Sequence, residues 1–162
     1  MESLSTRILE LKVAPRFCKE LEYVGKPKRV DSKLLKEIIK EDFVPVIVPM
    51  GLDEKGIAYN INADTAAGAI ARSIKSRRLM LLTDIDGVLD NNDKLISEIN
   101  TMEANELINN EVIHGGMIPK VKTCIDAINN GVRAVVIIDG RKPHSILFEL
   151  FSDKGAGTLI RK

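Results

Sequence analysis

Short uninterrupted apolar runs, each stopped by turn-forming residues and separated by stretches of helical period, restrict this chain more than any other feature of its sequence. Val44-Pro45-Val46-Ile47-Val48-Pro49, Leu79-Met80-Leu81-Leu82-Thr83 and Ala134 to Ile138 lack the apolar-polar alternation of a strand with one wet face. They read as strands buried on both faces, as in parallel sheets. Thr158-Leu159-Ile160 reads as a last strand. Between these runs lie helices. Asp31-Ser32 opens one whose Leu34, Leu35, Ile38 and Ile39 form a stripe expected to pack on a sheet. Ala66, Ala67, Gly68, Ala69, Ile70, Ala71 and Ile74 make a helix of small residues whose axis can approach closely whatever it covers. Thr101 is expected to cap a short helix through Leu107. Another helix buries Val121, Cys124, Ile125 and Ile128, with Pro119 in its first turn and Gly131 at its exit, and His144 to Phe151 is a last one. Strand-helix alternation of this kind predicts an α/β fold.

The chain of 162 residues fits one domain with a sizeable core. Lys and Arg number 24 against 23 Asp and Glu, a net charge of +1, which points away from a nucleic-acid or membrane surface and towards a small-molecule partner. Cys18 and Cys124 lie far apart without paired spacing, so neither a disulfide framework nor a zinc site is expected, and Cys124 reads as core. Glu2 and Arg7 interrupt the N-terminus, so no secretory signal or membrane span is read there and cytoplasm is the expected location. Leu4, Ile8 and Leu11 trace a weak helical pattern running into Pro15, an unassigned arm over residues 1–20. Gly51 and Gly56 flank a polar turn spaced like the opening of a phosphate-binding P-loop, but Ile57 and Ala58 stand where that loop needs Lys and Ser or Thr.

The polar residues gather at strand ends and helix starts. In Tyr59-Asn60-Ile61-Asn62-Ala63-Asp64, alternation would send Asn60, Asn62 and Asp64 to one side, with Ile61 and Ala63 turned into packing. One such residue suffices to cap the next helix, and three in register leave a surplus available to a ligand. Lys120 sits in a helix's first turn, against the macrodipole unless an anion is bound there. Gly115 and Gly116 just upstream expose backbone N–H groups, so with Lys120 they describe a site for an anionic group at a helix N-terminus, the alternative being a solvated lysine. Asp84-Ile85-Asp86-Gly87 follows an apolar strand at the end where ligands of open α/β sheets bind, and Asp90-Asn91-Asn92-Asp93 looks like a hairpin turn leading to Lys94-Leu95-Ile96. Asp139 is as readily a turn former beside Gly140 as a ligand group, and His144 is given no role.

Two resemblances bear on these residues. Asp84-Ile85-Asp86-Gly87-Val88-Leu89 is similar to the first motif of haloacid dehalogenase-type phosphatases, which would make Asp84 a nucleophile and Asp86 an acid/base with magnesium between them. A much longer resemblance, from Leu21 onward, is to the acetylglutamate kinases of the amino acid kinase family. Its pieces are Val24-Gly25 with Val30-Asp31, Val44 to Ile47 with Pro49 and Gly51, Tyr59 to Asp64, and Leu82-Thr83-Asp84 with Gly87-Val88-Leu89. They continue with Gly115 to Val121, Ile137 to Arg141 with Pro143-His144, and Gly155, Gly157 and Thr158. The resemblance implies a three-layer αβα sandwich with a mainly parallel sheet, the carbamate kinase-like fold of this family, truncated at the N-terminal side. Residues 21–162 would form the kinase domain, comprising the nucleotide-binding half and part of the acceptor site. It also implies ATP-dependent phosphorylation of the side-chain carboxylate of N-acetyl-L-glutamate, a step of arginine biosynthesis.

By position, the resemblance makes Asn60 and Asn62 substrate ligands, Asp64 the aspartate that orients reactive lysines, and Lys120 the lysine that steadies the transferring phosphoryl group. Thr83, Asp84, Ile85, Asp86, Gly87, Val88 and Leu89, with Val112, Ile113, His114, Gly115, Gly116 and Met117, would surround ATP. Magnesium would ride mainly on the phosphates, with no dedicated protein metal site. Met1 to Arg16 does not match the family's first strand, reactive lysine and glycine pairs, and Glu22 stands where the family has glycine. Little or no kinase activity is therefore expected of this polypeptide alone, and a catalytically silent nucleotide-binding or assembly module is the alternative. Partners implied are a homo-oligomer or a separate N-terminal half and, in some lineages, PII signalling proteins.

Overall fold

A computed structural model describes the backbone of residues 11–15 and the whole of residues 24–162. Leu4, Ile8, Cys18 and Glu22 lie outside the described residues. In chain order the elements are β1 (Leu11–Pro15), β2 (Val24–Val30), α1 (Ser32–Lys40), β3 (Met50–Leu52), β4 (Ala58–Ile61) and α2 (Ala63–Ile74). They continue as β5 (Arg78–Thr83), β6 (Glu98–Asn100), α3 (Thr101–Asn109), α4 (Met117–Asn129), β7 (Ala134–Asp139), α5 (Ser145–Phe151) and β8 (Gly157–Arg161). The chain divides into two compact units, one ending at Ile74 and one beginning at Lys75. Leu11, expected to continue a helical pattern, instead opens β1.

In the N-terminal unit the strands close in the order β1-β2-β4-β3. β2 pairs in parallel with β4 and β1 with β3, while β1–β2 and β3–β4 are antiparallel. Asp31 starts α1 as expected, its Oδ1 accepting from the N–H groups of Lys33 at 3.0 Å and Leu34 at 3.3 Å. Leu35 is buried, but α1 lies chiefly against α2 rather than on a sheet. Ile61 and Ala66 centre a small core with Val30, Tyr59 and Ile70 packed around them.

One expectation fails here for a visible reason. The run Val44 to Pro49 is not a strand, and Val44, Val46 and Val48 are 88%, 92% and 65% exposed. Pro45 and Pro49 carry no N–H, so the ladder a buried strand needs is broken at both ends. The polar turn expected between Gly51 and Gly56 is present, as the tip of a hairpin in which β3 and β4 flank residues 53–57. Asp53 Oδ1 accepts from the N–H groups of Lys55 (2.8 Å) and Ile57 (2.9 Å), Tyr59 Oη donates to Asp53 Oδ2 (3.2 Å), and Gly56 takes the positive φ of 78°. The glycine spacing thus serves a turn held by one carboxylate.

The C-terminal unit carries a sheet of order β5-β7-β8-β6, with parallel pairs β5–β7 and β6–β8 and an antiparallel pair β7–β8. Val135 to Asp139 are all buried, so β7 is covered on both faces as its unbroken apolar run predicts. α3 and α4 pack on each other and on this sheet, and α5 lies against β7. A Cβ at Gly157 would stand 2.0 Å from the Ile137 carbonyl oxygen, so only glycine lets β8 come this close to β7. Asn100 rather than Thr101 caps α3. Its Oδ1 accepts from Met102 and Glu103 N–H at 2.8 and 2.9 Å while the Glu103 carboxylate accepts from Asn100 N–H, a reciprocal box. Thr101 is the first helical residue, one place past the cap. Cys124 is buried on α4, as read. Among the described residues no helix is long and apolar enough to cross a membrane.

Candidate functional site

A cleft of about 620 Å³ opens in the C-terminal unit beyond the carboxyl end of β5. One wall is the segment that follows Thr83. It contributes Thr83, Asp84, Ile85, Gly87, Val88 and Leu89, and the bridge between Leu89 and Leu95 folds the following turn over so that Asp90 and Asp93 join the lining. That turn, expected at Asp90 to Asp93, is made by Asp90 Oδ1 accepting from Asn92 and Lys94 N–H groups at 2.8 and 2.9 Å. The Lys94 N–H first, then that of Asn92, lowers the Asp90 carboxyl below its ordinary range.

The facing wall is the connection from α3 to α4, with Val112, Ile113, His114, Gly115, Gly116 and Met117. Ile113 is 2% exposed, and its N–H bonds the Leu107 carbonyl at 3.0 Å, which fixes the wall to the end of α3. Gly115 adopts φ 55°, and a Cβ at either Gly115 or Gly116 would meet nothing within 4 Å, so the space beside both is open. α4 follows Gly116 without a side-chain cap, and its Met117 and Ile118 N–H groups bond the His114 and Gly115 carbonyls at 3.2 and 3.3 Å. Lys120, half-buried, reaches the same cleft from the first turn of α4. The site therefore combines a cation and a helix start with the carboxylates of Asp84, Asp90 and Asp93, the first accepting from Thr83 Oγ1 at 3.3 Å. A group with both anionic and hydroxyl functions matches that distribution.

Of the residues expected around this site, Asp86 alone is absent from the lining. It pairs with Lys142 at 2.8 Å, with both side chains about half exposed. Asp139 serves the architecture beneath. Its carboxylate is 3% exposed and accepts from Arg141 Nε at 3.0 Å, Nη2 at 2.9 Å and the Arg141 backbone N–H at 2.9 Å. The Arg141 guanidinium and N–H hold its carboxyl down at about 2, and the pair raises Arg141 in turn, with smaller help from Asp84 and Asp86. The adjacent Gly140 N–H bonds the Thr83 carbonyl at 2.8 Å, locking the ends of β7 and β5 together below the cleft. His144, at φ 60°, makes no side-chain cap for α5.

The Asn-Asn-Asp corner belongs to the N-terminal unit, where β4 meets α2. Asn60 and Asn62 are exposed and Ile61 is buried between them, as alternation predicts, but Ala63 is exposed and Asp64 half-buried. The period of two ends where α2 begins at Ala63, so Asp64 projects from a helical turn and not from the strand. Asn62 does cap α2, its Oδ1 accepting from Thr65 N–H at 3.0 Å and Thr65 Oγ1 at 3.2 Å. The Asn62 amide nitrogen keeps its two donors in addition to that cap. Sequence reasoning missed Asp90 and Asp93 as cleft residues, because their turn composition explained them fully and only the Leu89–Leu95 bridge carries them over the site.

Comparison with known proteins places these features in a family. Residues 3–139 match the model of the amino acid kinase family. Acetylglutamate kinase of Pelagibacter ubique (strain HTCC1062) is 61% identical over 89% of this chain and 50% of its own length. Acetylglutamate kinase of Rhodopseudomonas palustris (strain BisB18) is 50% identical over 88% of this chain and 48% of its own. The chain thus spans about half the length of the curated relatives it matches. Among solved structures, N-acetylglutamate synthase from Neisseria gonorrhoeae complexed with coenzyme A and L-arginine superposes with a TM-score of 0.87 at 26% identity, covering 94% of this chain and 36% of that one.

Proposed function

Because this chain belongs to the amino acid kinase family, we propose that residues 21–162 are the nucleotide-binding half and part of the acceptor site of an acetylglutamate kinase. The reaction is phosphorylation of the side-chain carboxylate of N-acetyl-L-glutamate by ATP. The phosphatase alternative drawn from Asp84 to Leu89 gives way to the family match, and Asp86 is turned to Lys142 rather than into the cleft with Asp84. The observation that carries the proposal is that Lys120 lines one cleft with both segments expected around ATP.

A carboxylate oxygen of the acceptor attacks the γ-phosphorus and ADP leaves. The acceptor is already ionised, so no side-chain base is required. Catalysis is then alignment plus neutralisation of charge on the equatorial oxygens. Lys120 places a cation at that charge, and the open glycine backbone of Gly115 and Gly116 lines the cleft beside it. Asn60 and the amide nitrogen of Asn62 hold the acceptor, and Asp64 orients the cationic groups. Magnesium would ride mainly on the nucleotide phosphates.

A second reading is a catalytically silent nucleotide-binding or assembly module that works in a homo-oligomer or beside a separate N-terminal half. The location proposed is the cytoplasm, and a PII protein is the regulatory partner to examine. Titration calorimetry with magnesium-ATP and an acetylglutamate-dependent ADP assay separate the readings. Binding with turnover supports the kinase, and binding without it supports the module. Absence of binding, or undiminished binding and turnover in Lys120→Ala, refutes the site. Loss of one preorganised group of this kind lowers turnover roughly a hundred- to thousandfold.

A further inference from the structure

Thr158 does not line the cleft, yet its hydroxyl fixes the height of one wall. It is fully buried on β8. The Val88 N–H donates to Thr158 Oγ1 at 2.8 Å, the hydroxyl donates to the Ile96 carbonyl at 2.7 Å, and the Ile96 N–H donates to the Val88 carbonyl at 2.9 Å. Three segments are thereby closed into one circuit: the wall after β5, the return strand beyond the Asp90 turn, and β8. Two backbone groups of opposite kind meet a single atom there, and a hydroxyl is the small group that both donates and accepts. Gly87 sits directly on it. A Cβ at Gly87 would lie 2.6 Å from Thr158 Oγ1 and 2.8 Å from Leu95 Cδ1, and its φ of 148° already disfavours a side chain.

We propose that Thr158 is a positioning residue for the nucleotide. By holding Val88, it sets the distance at which Gly87 and Val88 stand from a phosphate chain or ribose in the cleft. The inference rests on the reading of that cleft as a nucleotide site and adds a residue outside it. Removing the hydroxyl without changing side-chain shape leaves the Val88 N–H and the Ile96 carbonyl without their partner, and the wall must shift to recover one.

The test measures magnesium-ATP affinity by calorimetry, thermal midpoint, and hydrogen exchange at the Val88 amide in the full chain and in T158V, T158C and T158S. T158V is expected to bind on the order of tenfold more weakly with a faster-exchanging Val88 amide. T158S should recover the wild-type affinity, and T158C, which keeps the volume with a weaker acceptor, should fall between. T158C carries the comparison if T158V does not fold. Wild-type affinity in T158V or T158C, with only the thermal midpoint lowered, reduces the hydroxyl to a stabilising contact and overturns the proposal. A wild-type chain that binds no magnesium-ATP sinks the nucleotide reading and the role built on it. Unchanged Val88 protection in T158V sinks the circuit itself, whatever the nucleotide does.

Discussion

The two units bury their apolar residues very differently. In the C-terminal unit Val135, Val136, Ile137, Ile138 and Ile160 are fully buried, whereas Phe43, Val44, Val46 and Val48 of the N-terminal unit face water. Both stretches are rich in β-branched residues. What separates them is hydrogen bonding. β7 finds a strand on each side, β5 in parallel and β8 antiparallel, while Pro45 and Pro49 interrupt the ladder that Val44 to Val48 would need. An apolar run becomes a core strand only when neighbours on both edges can take up its backbone groups.

Hydrogen exchange offers the widest test of that contrast. Amides of Val136 and Ile137 should be protected on the order of a thousandfold or more beyond those of Val46 and Ile47, because core strands open only in global unfolding. Equal protection would show that the N-terminal run has found a partner strand.

Side-chain truncation comes next. Ile137→Ala should lower unfolding stability by about 2 to 5 kcal/mol, and Gly157→Ala, which drives a methyl group against the Ile137 carbonyl, by about 1 to 3 kcal/mol or more. Chemical denaturation of each variant measures both, and a loss below 1 kcal/mol in either would mean β7 and β8 are less tightly joined than described.

Acid sharpens the contrast through a single group. The folded Asp139 carboxyl titrates near 2 against an ordinary 3.8. Its depressed value adds stability that is full above about pH 4 and fades as pH falls towards 2. Melting temperature followed from pH 5 to 2 should therefore decline less steeply in Asp139→Asn than in the parent chain. An identical decline would remove the Asp139–Arg141 pair from the account of the cleft floor.

The smallest effect is expected at the exposed run. Val46→Lys should change unfolding stability by no more than about 0.5 kcal/mol, and a loss as large as that of Ile137→Ala would erase the difference between the units.

Much of the C-terminal unit is legible in the sequence because its signals are local and agree. Leu79 to Thr83 and Ala134 to Ile138 are bounded apolar runs, and both became strands within a residue at either end. Family pattern pointed to the cleft segments, and the folded chain gathers all of them except Asp86, whose partner Lys142 lies far away in sequence and could not be read from spacing. The N-terminal unit was less readable because its structure depends on pairing rather than pattern. Leu11 to Pro15 is a strand by virtue of β2 and β3, and Met50 to Leu52 by virtue of β4. The Asn60, Asn62, Asp64 register failed at Ala63 because two periodicities meet there, and residue types alone do not say which one governs the junction.

The hydroxyl that seats Val88 arrives 70 residues later in the chain than the loop it secures. On a ribosome moving at about 5 to 20 residues per second, that wall of the cleft is made roughly 4 to 14 s before its anchor emerges. Nascent chains would carry every residue of the pocket and still lack its shape, so competence to capture a nucleotide should appear abruptly, with the last strand, rather than growing as the chain lengthens.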